Sequence, residues 1–395
     1  MPDRLARPKV TSPQRESGIA STPSHGDLSD LPKLSPSRRL RRTPFSRGVE
    51  AAGVKAYTIY NHMLLPTVFE SIKADCAHLK SHVQVWDVSC ERQIEVTGPD
   101  AGRLVQMITP RDVSKISNGQ CMYIPVVNAR GGMLNDPVLI RLAEDRYWIS
   151  IASSDLLLWV DGIATALGLN VSVFEPDIHP LAVQGPKADE LMARLFGPQV
   201  LDIRFFRARE LTFESSSYVV ARSGYSKQGG FEIYVNGGGG MALWQSLMGA
   251  GQDLHVRAGG PNLIERIEGG LLGFGNDMTA DNNPYECGLE KFCQPQTVDC
   301  IGRDALLAIE KQGPQRKIRP IAIAGDKVPI CDRLWPVTVG GALVGQVSSA
   351  IYAPAQQVNV AIGMIDKAHW QGGTSVVVHC QDGDRPATVN EEFWI

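Results

Sequence analysis

No apolar run in this chain approaches the ~20 residues that a bilayer span requires, and no secretory apolar region opens it. Membrane insertion and export are therefore not expected. The eight cysteines (76, 90, 121, 287, 293, 300, 331 and 380) include no CxxC pair and no Cys/His cluster at zinc spacing. That argues against a bound metal and for reduced, packed thiols in a cytoplasmic protein. With 39 Lys and Arg against 42 Asp and Glu, the net charge of −3 supplies no basic surface for nucleic acid or membrane. Residues 237–240 are all glycine after a strand-like run, but they lack the Lys-Ser/Thr of a phosphate loop, so a turn is expected. No local Ser-His-Asp or Cys-His arrangement is present, and His62 alone among eight histidines has a distinctive context, YNHMLLP. These absences leave a globular chain of 395 residues acting on a small molecule, as monomer or homodimer, with room for two or three domains.

Residues 1–43 are rich in Ser, Pro and Arg, poor in apolar residues and without period, and are expected to form a disordered tail. After Thr43, strands and helices alternate irregularly. A unit of strand, Gly-Pro and helix occurs at residues 93–109 and again at 181–196, the signature of two similar halves. Asp100 is placed to begin the first of these helices, and Gly168 to end another over residues 154–167. Runs at 133–142 and 147–152 read as paired strands turning at Glu144-Asp145. Beyond Gly313-Pro314, short β-rich runs separated by Gly, Pro and Asp predict a small antiparallel barrel or sandwich over residues 317–395. The expected class is α+β with a β-rich C-terminal domain.

The richest segment is residues 221–235, ARSGYSKQGGFEIYV. Its alternation places Glu232 and Tyr234 on one strand face and Phe231, Ile233 and Val235 on the other. Glu232 is either a solvent-facing strand residue or an acceptor for paired N–H donors of a planar ligand, with Gly229-Gly230 allowing close approach. Asp136, in Asn135-Asp136-Pro137, is either a turn residue capping local backbone or a carboxylate aimed at a ring nitrogen. Tyr225, Trp148 and Tyr234 are core aromatics unless the substrate is a cation, for which rings are good partners. Ser150, two residues beyond Trp148, and Lys227 could each meet a substrate carboxylate.

At these residues the chain resembles the folate-dependent aminomethyltransferase (glycine cleavage T-protein) superfamily. RSGYSKQGGFEIYV is similar to that superfamily's RTGYTGE-GFEI, and residues 131–139, GGMLNDPVL, to its GG-x-x-DD. Residues 264–278, 283–292 and 301–306 occupy the places of three further segments, so the likeness runs from about residue 43 to the C-terminus. Within the superfamily the chain looks most like the tetrahydrofolate-dependent dimethylsulfoniopropionate (DMSP) demethylases, through YNHMLLP, VQVWDV, CERQ, LNDPV and SKQGG. Asn135, Ile151 and Asn262 depart from the glycine-cleavage pattern. Tyr225 stands where those demethylases resemble Trp, and Gly260, Gly269, Gly273 and Phe274 also differ.

The resemblance implies a three-domain cloverleaf with tetrahydrofolate, the methyl acceptor, in a central opening. It implies two interleaved α+β domains over residues 44–312. It implies Asp136 as the catalytic residue, Glu232, Tyr123 and Arg222 on the folate, and Tyr234, Tyr225, Ser150, Trp148 and Lys227 on the substrate. The activity it implies is methyl transfer from DMSP to N5, giving 5-methyltetrahydrofolate and 3-(methylthio)propanoate. The alternatives are an aminomethyltransferase or another folate-dependent N- or O-demethylase and, more remotely, a non-catalytic folate-binding protein.

Overall fold

The computed structural model describes residues 37–395. The tail expected over residues 1–43 lies outside the described residues as far as 36, and its last residues touch the folded body. Arg41 bridges to Met63 and pairs with Glu175, and Thr43 Oγ1 donates to Asp87.

Two antiparallel sheets face one another, with helices on their outer faces. The first runs in the order Ser172–Phe174, Gln93–Thr97, Arg146–Ser150, Val138–Ala143, Gln120–Tyr123. Period-two alternation sends Ile94 and Val96 outward beneath the helices Ala101–Ile108 and Leu156–Leu167, while Gln93 and Glu95 face the other sheet. The Ala101–Ile108 helix buries Ala101, Leu104, Val105 and Ile108, one stripe at i, i+3, i+4 and i+7, and stops before Pro110. Asp100 precedes it without capping it; its carboxylate accepts from the Asn170 backbone N–H at 2.9 Å instead. The second helix ends on Gly168 in the left-handed conformation, φ 60°.

The second sheet runs Ala208–Phe213, Ser216–Ala221, Gly230–Asn236, Ile178–Gln184, Gln84–Asp87, Arg257–Gly259, and only its last pairing is parallel. Phe231, Ile233 and Val235 are fully buried beneath the helices Ala188–Phe196 and Gly240–Ala250. Burial of each such side chain is worth roughly 1.5–3 kcal/mol. Between the sheets, Cys121, Ile140 and Trp148 of the first meet Ala221 and Tyr234 of the second. The four-glycine run is no loop: it winds through a short 3-10 turn into the Gly240–Ala250 helix.

The two Gly-Pro units do equivalent work. Gly98 (φ 128°) and Gly185 (φ 123°) each turn a strand into a helix, and a Cβ on either would stand 2.6 or 2.3 Å from a backbone oxygen, of Asn170 and His82 respectively. Only glycine accommodates both the dihedral and the contact.

The C-terminal region closes into a six-stranded barrel in the order Arg316–Ile323, Val358–Asp366, Ala342–Ala353, Trp335–Val339, Ser375–Cys380, Gly383–Val389. Closure removes exposed strand edges. Its core includes Ile321, Trp335, Val337, Val347, Ala361 and Val378. A bulge between Val347 and Ser349 breaks the Ala342–Ala353 strand, and both serine hydroxyls of the bulge reach Asp277, at 2.7 and 2.6 Å. No helix among the described residues is long and apolar enough to cross a membrane.

Replacing Gly185 with Ala is expected to cost on the order of 2 kcal/mol or more from the dihedral and the His82 clash. Denaturant unfolding of G185A against the unaltered protein checks this; equal midpoints would contradict it.

Candidate active site

The site is built from two cross-strand rows that face each other. On the first sheet the register aligns Gln93, Ser150, Val138 and Tyr123. On the second it aligns Trp86, Ala182, Glu232 and Ala221. Small alanines on both sides of Glu232 leave it without a bulky neighbour in its row, where a planar group can lie. Tyr234, one pleat along, stands on the same face as Glu232, as its strand alternation requires.

Glu232 is 6% exposed and accepts from Ser223 Oγ and, at 3.4 Å, from Tyr234 Oη. The loop that presents it is wrapped around Gln184, which is fully buried. Gln184 Nε2 donates to the Ser223 carbonyl at 3.0 Å, and its oxygen accepts from Ser226 Oγ at 2.7 Å. The glycines of the motif make room for this peg: a Cβ on Gly224 would fall 2.0 Å from Gln184 Nε2, and one on Gly230 2.1 Å from the Val183 oxygen. The role of Gly224 and Gly230 is therefore internal, whereas a Cβ on Gly229 would meet nothing within 4 Å. At Gly230 the space expected for a ligand ring is occupied by the neighbouring strand.

Asp136 is held from the first sheet. Tyr123 Oη donates to its Oδ2 at 2.9 Å, while its Oδ1 is buried with no donor among the described residues. Asn135 beside it is wholly buried: its amide nitrogen donates to the Ala152 carbonyl (2.9 Å) and Ser154 Oγ (2.8 Å), and its oxygen accepts from the Ala152 N–H. An aspartate could not donate those two bonds, which gives asparagine a local reason here.

Glu91 completes the acidic group. Asn61, in the left-handed turn before His62, anchors the adjoining Cys90 carbonyl at 2.8 Å, and Gln93 Nε2 donates to the Glu91 carbonyl at 2.6 Å. Burial raises the Glu91 carboxyl well above its ordinary range, and the charges of Glu232 and Asp136 raise it further. Glu232 is raised by burial too, and partly held down by its bonds from Ser223 and Tyr234. Burial lifts Asp136 to about 7, against the opposing pull of Tyr123 and its own backbone N–H. No Arg, Lys or His side chain pairs with any of the three among the described residues. Three desolvated carboxyls without a cation suit a ligand that brings hydrogen-bond donors or positive charge.

Around them stand Tyr60, Tyr123, Tyr225 and Tyr234, each with its phenol pushed upward, chiefly by burial. Tyr225 Oη lies 2.9 Å from both the Leu271 and Leu272 carbonyls and shares its proton between them. That carbonyl turn is fastened by Arg266, which donates to Leu271 and pairs with the fully buried Asp277, the residue gripped by the barrel serines. Three thiols border the acidic group: Cys90, Cys121 and Cys287. Burial and the nearby carboxylates push all three up, Cys121 to about 12.

Thus Glu232, Tyr234, Tyr123, Asp136, Tyr225 and Ser150 come together. Three other candidates do not. Arg222 lies over the Phe231 ring, on the opposite side of the strand from Glu232, and pairs with Asp189. It lines a separate cleft of about 190 Å3 with Asp189, Phe205 and Gln228. Trp148 is core: its indole N–H is spent on Glu95 at 2.8 Å, and its ring packs on Tyr234 at 5.5 Å. Lys227 is exposed, its stem lying over Gly269, where a Cβ would come within 2.7 Å of it. Glu91, Tyr60 and Gln93 belong with the site although the motif CERQ and the YNHMLLP segment were read only for likeness.

Comparison with known proteins bears on this arrangement directly. Residues 46–297 match the family described as GCVT N-terminal domain, and residues 316–394 the glycine cleavage T-protein C-terminal barrel domain. The chain belongs to the glycine cleavage T-protein family. Members of the T-protein family similar to it include dimethylsulfoniopropionate demethylase DmdA of Ruegeria pomeroyi, 60% identical over 92% of this chain and 100% of that one. An aminomethyltransferase of Symbiobacterium thermophilum is 32% identical over 80% of this chain and 86% of its own length. The crystal structure of glycine cleavage system aminomethyltransferase T from Bartonella henselae superposes with a TM-score of 0.79 at 25% identity, covering 89% of this chain and 97% of that one. The fold is thus the α+β T-protein fold with its closed C-terminal barrel.

In this T-protein family member, Asp136 makes stability depend on pH. Its folded value of about 7 exceeds the ordinary 3.8, so its proton stabilises the fold fully below 3.8, and that contribution is lost as pH rises through 7. Denaturant unfolding at pH 4 to 8 should show D136N gaining on the unaltered protein as pH rises across that window. A constant difference would refute the assignment.

Proposed function

We propose that the protein is a tetrahydrofolate-dependent DMSP demethylase. The observation that carries this reading is the cluster of Glu232, Asp136 and Glu91, desolvated between the two sheets and without an Arg, Lys or His partner among the described residues. The 60% identity to a DMSP demethylase over that protein's full length supports the same reading. The residues fit a reduced pteridine: Glu232 offers acceptors to paired N–H groups, its flanking alanines leave a flat face, and Asp136 Oδ1 is a buried acceptor with no donor among the described residues. They also fit a sulfonium, a cation that tyrosine rings and carboxyls attract.

Tetrahydrofolate supplies N5 as the methyl acceptor, and the electron pair of the broken S–CH3 bond stays on sulfur, giving a thioether. Because a sulfonium is already activated, the protein's work is positioning and exclusion of water. Glu232 fixes the acceptor ring, and Tyr225 and Tyr234 wall the donor side. Attraction for the cation cannot be too strong, since the charge on sulfur disappears in the reaction. Asp136 receives the proton that N5 releases, which requires it ionised and hence favours pH above about 7. The eight free, largely buried thiols support a reducing, cytoplasmic setting with small molecules as partners.

Purified protein given tetrahydrofolate and DMSP should form 5-methyltetrahydrofolate and 3-(methylthio)propanoate, with kcat/KM rising through about pH 7 and that limb absent in D136N. Folate binding without either product would refute the donor, and turnover of an N-methyl or aminomethyl donor instead would favour the aminomethyltransferase reading. Y225F, which strips the donor from two carbonyls, should raise KM for DMSP roughly tenfold, the scale of one lost hydrogen bond. Tetrahydrofolate affinity should change little.

A further inference from the structure

One buried acceptor in the opening has no part in the chemistry above. Gln93 is fully buried on the face of its strand that looks toward the second sheet. Its amide nitrogen is occupied twice, by the Glu91 carbonyl at 2.6 Å and Ser150 Oγ at 2.9 Å. The Glu91 carbonyl can only accept, so the NH2 group must lie on that side and the amide cannot be turned over. Its oxygen, Oε1, is buried with no donor among the described residues. Asp136, bonded by Tyr123 at the far end of that row, has its Oδ1 in the same condition. Buried acceptors are rarely left unmade, because each forfeits its solvation without return. Two of them stand beside a set of desolvated carboxyls, where a ligand carrying N–H donors would complete them.

We infer that Gln93 is a specificity residue that accepts a ring N–H found only on the reduced pteridine, so that the site distinguishes tetrahydrofolate from its oxidised form. This rests on the folate reading above. The chemistry of the ligand makes the distinction sharp. The 2-amino group and N3–H are present in both oxidation states, whereas N5–H and N8–H exist in tetrahydrofolate and are absent from folic acid. An acceptor facing the common edge would bind both forms equally. Glu232, with two carboxylate oxygens, can serve the common donors, while Gln93 Oε1 on the opposite sheet and Asp136 Oδ1, tied to that sheet by Tyr123, are left for the donors that reduction adds. With oxidised folate the same oxygens stay buried and unpaired, and ring nitrogen lone pairs add repulsion. Sites built to bond a donor reject analogues lacking it for this reason.

The test is equilibrium binding of tetrahydrofolate, dihydrofolate and folic acid, without methyl donor, to the unaltered protein, Q93L and Q93E. The unaltered protein should prefer tetrahydrofolate to folic acid by tenfold or more. Q93L should lose about tenfold for tetrahydrofolate and less than twofold for folic acid, which also shows that the variant is folded. Q93E keeps an acceptor but sets a carboxylate against the Glu91 carbonyl, so it should weaken both forms alike and thereby show what a merely structural loss looks like. Dihydrofolate, carrying N8–H alone, shows whether that donor accounts for the discrimination, since it then binds like tetrahydrofolate; binding like folic acid assigns it to N5–H. Equal losses of both forms in Q93L, no loss of either form in Q93L, or no preference in the unaltered protein would each overturn the inference while leaving the demethylase reading intact. Failure of the unaltered protein to bind any folate would overturn both.

Discussion

Three carboxyl groups desolvated close together, with no guanidinium or ammonium among the described residues to balance them, are the constraint around which this molecule is organised. Left to themselves, Glu91, Asp136 and Glu232 would draw in water or drive the sheets apart. They are held because each comes from a different, independently anchored element. Glu232 sits on a strand whose other face is sealed by helices, Asp136 follows an asparagine with its amide fully used, and Glu91 follows a carbonyl clasped by Asn61. The destabilisation is local, and the apolar layers outside each sheet offset it. Proton uptake relieves part of it, which is why the carboxyls shift upward together.

The barrel takes part in the site although none of its residues enters the opening. Its bulge turns Ser348 and Ser349 onto Asp277, Asp277 holds Arg266, and Arg266 holds the carbonyl turn on which the Tyr225 hydroxyl rests. A buried ion pair of this sort adds little net stability but fixes one arrangement, since breaking either partner leaves an uncompensated charge. The wall of the opening is thereby referred to a closed and rigid sheet rather than to a loop.

Legibility from sequence followed the distance over which each contact acts. Glu232 and Tyr234 on one face, the Gly-Pro turns and the hairpin at Glu144-Asp145 all depend on neighbours within a few residues, and period or turn chemistry exposed them. Arg222 directly follows Ala221, the cross-strand partner of Glu232, so strand alternation turns it to the other face of the sheet; the register between the two strands, which nothing local encodes, was needed to see this. Gln93 and Glu91 needed knowledge of a second sheet, since a buried oxygen without a donor is visible only once every possible partner has been placed. The long barrel strand Ala342–Ala353 was hidden by its own bulge, which interrupts the alternation that would have announced it. Gly230 of SKQGG escapes local reading for a related reason: the backbone oxygen that crowds it belongs to Val183, on another strand far away in sequence.

The thiols bordering the acidic group acquire a purpose once the chemistry of a sulfonium is considered. A methyl sulfonium is an alkylating agent, and a thiolate is a far better nucleophile toward it than a secondary amine. A cysteine beside such a donor is therefore a target for self-methylation unless it remains protonated. Cys90, Cys121 and Cys287 are held in that state chiefly by burial, Cys121 at about 12, and Glu91, Glu232 and Asp136 are among the carboxylates that add to the shift. The burial that packs these thiols therefore also keeps them poor nucleophiles.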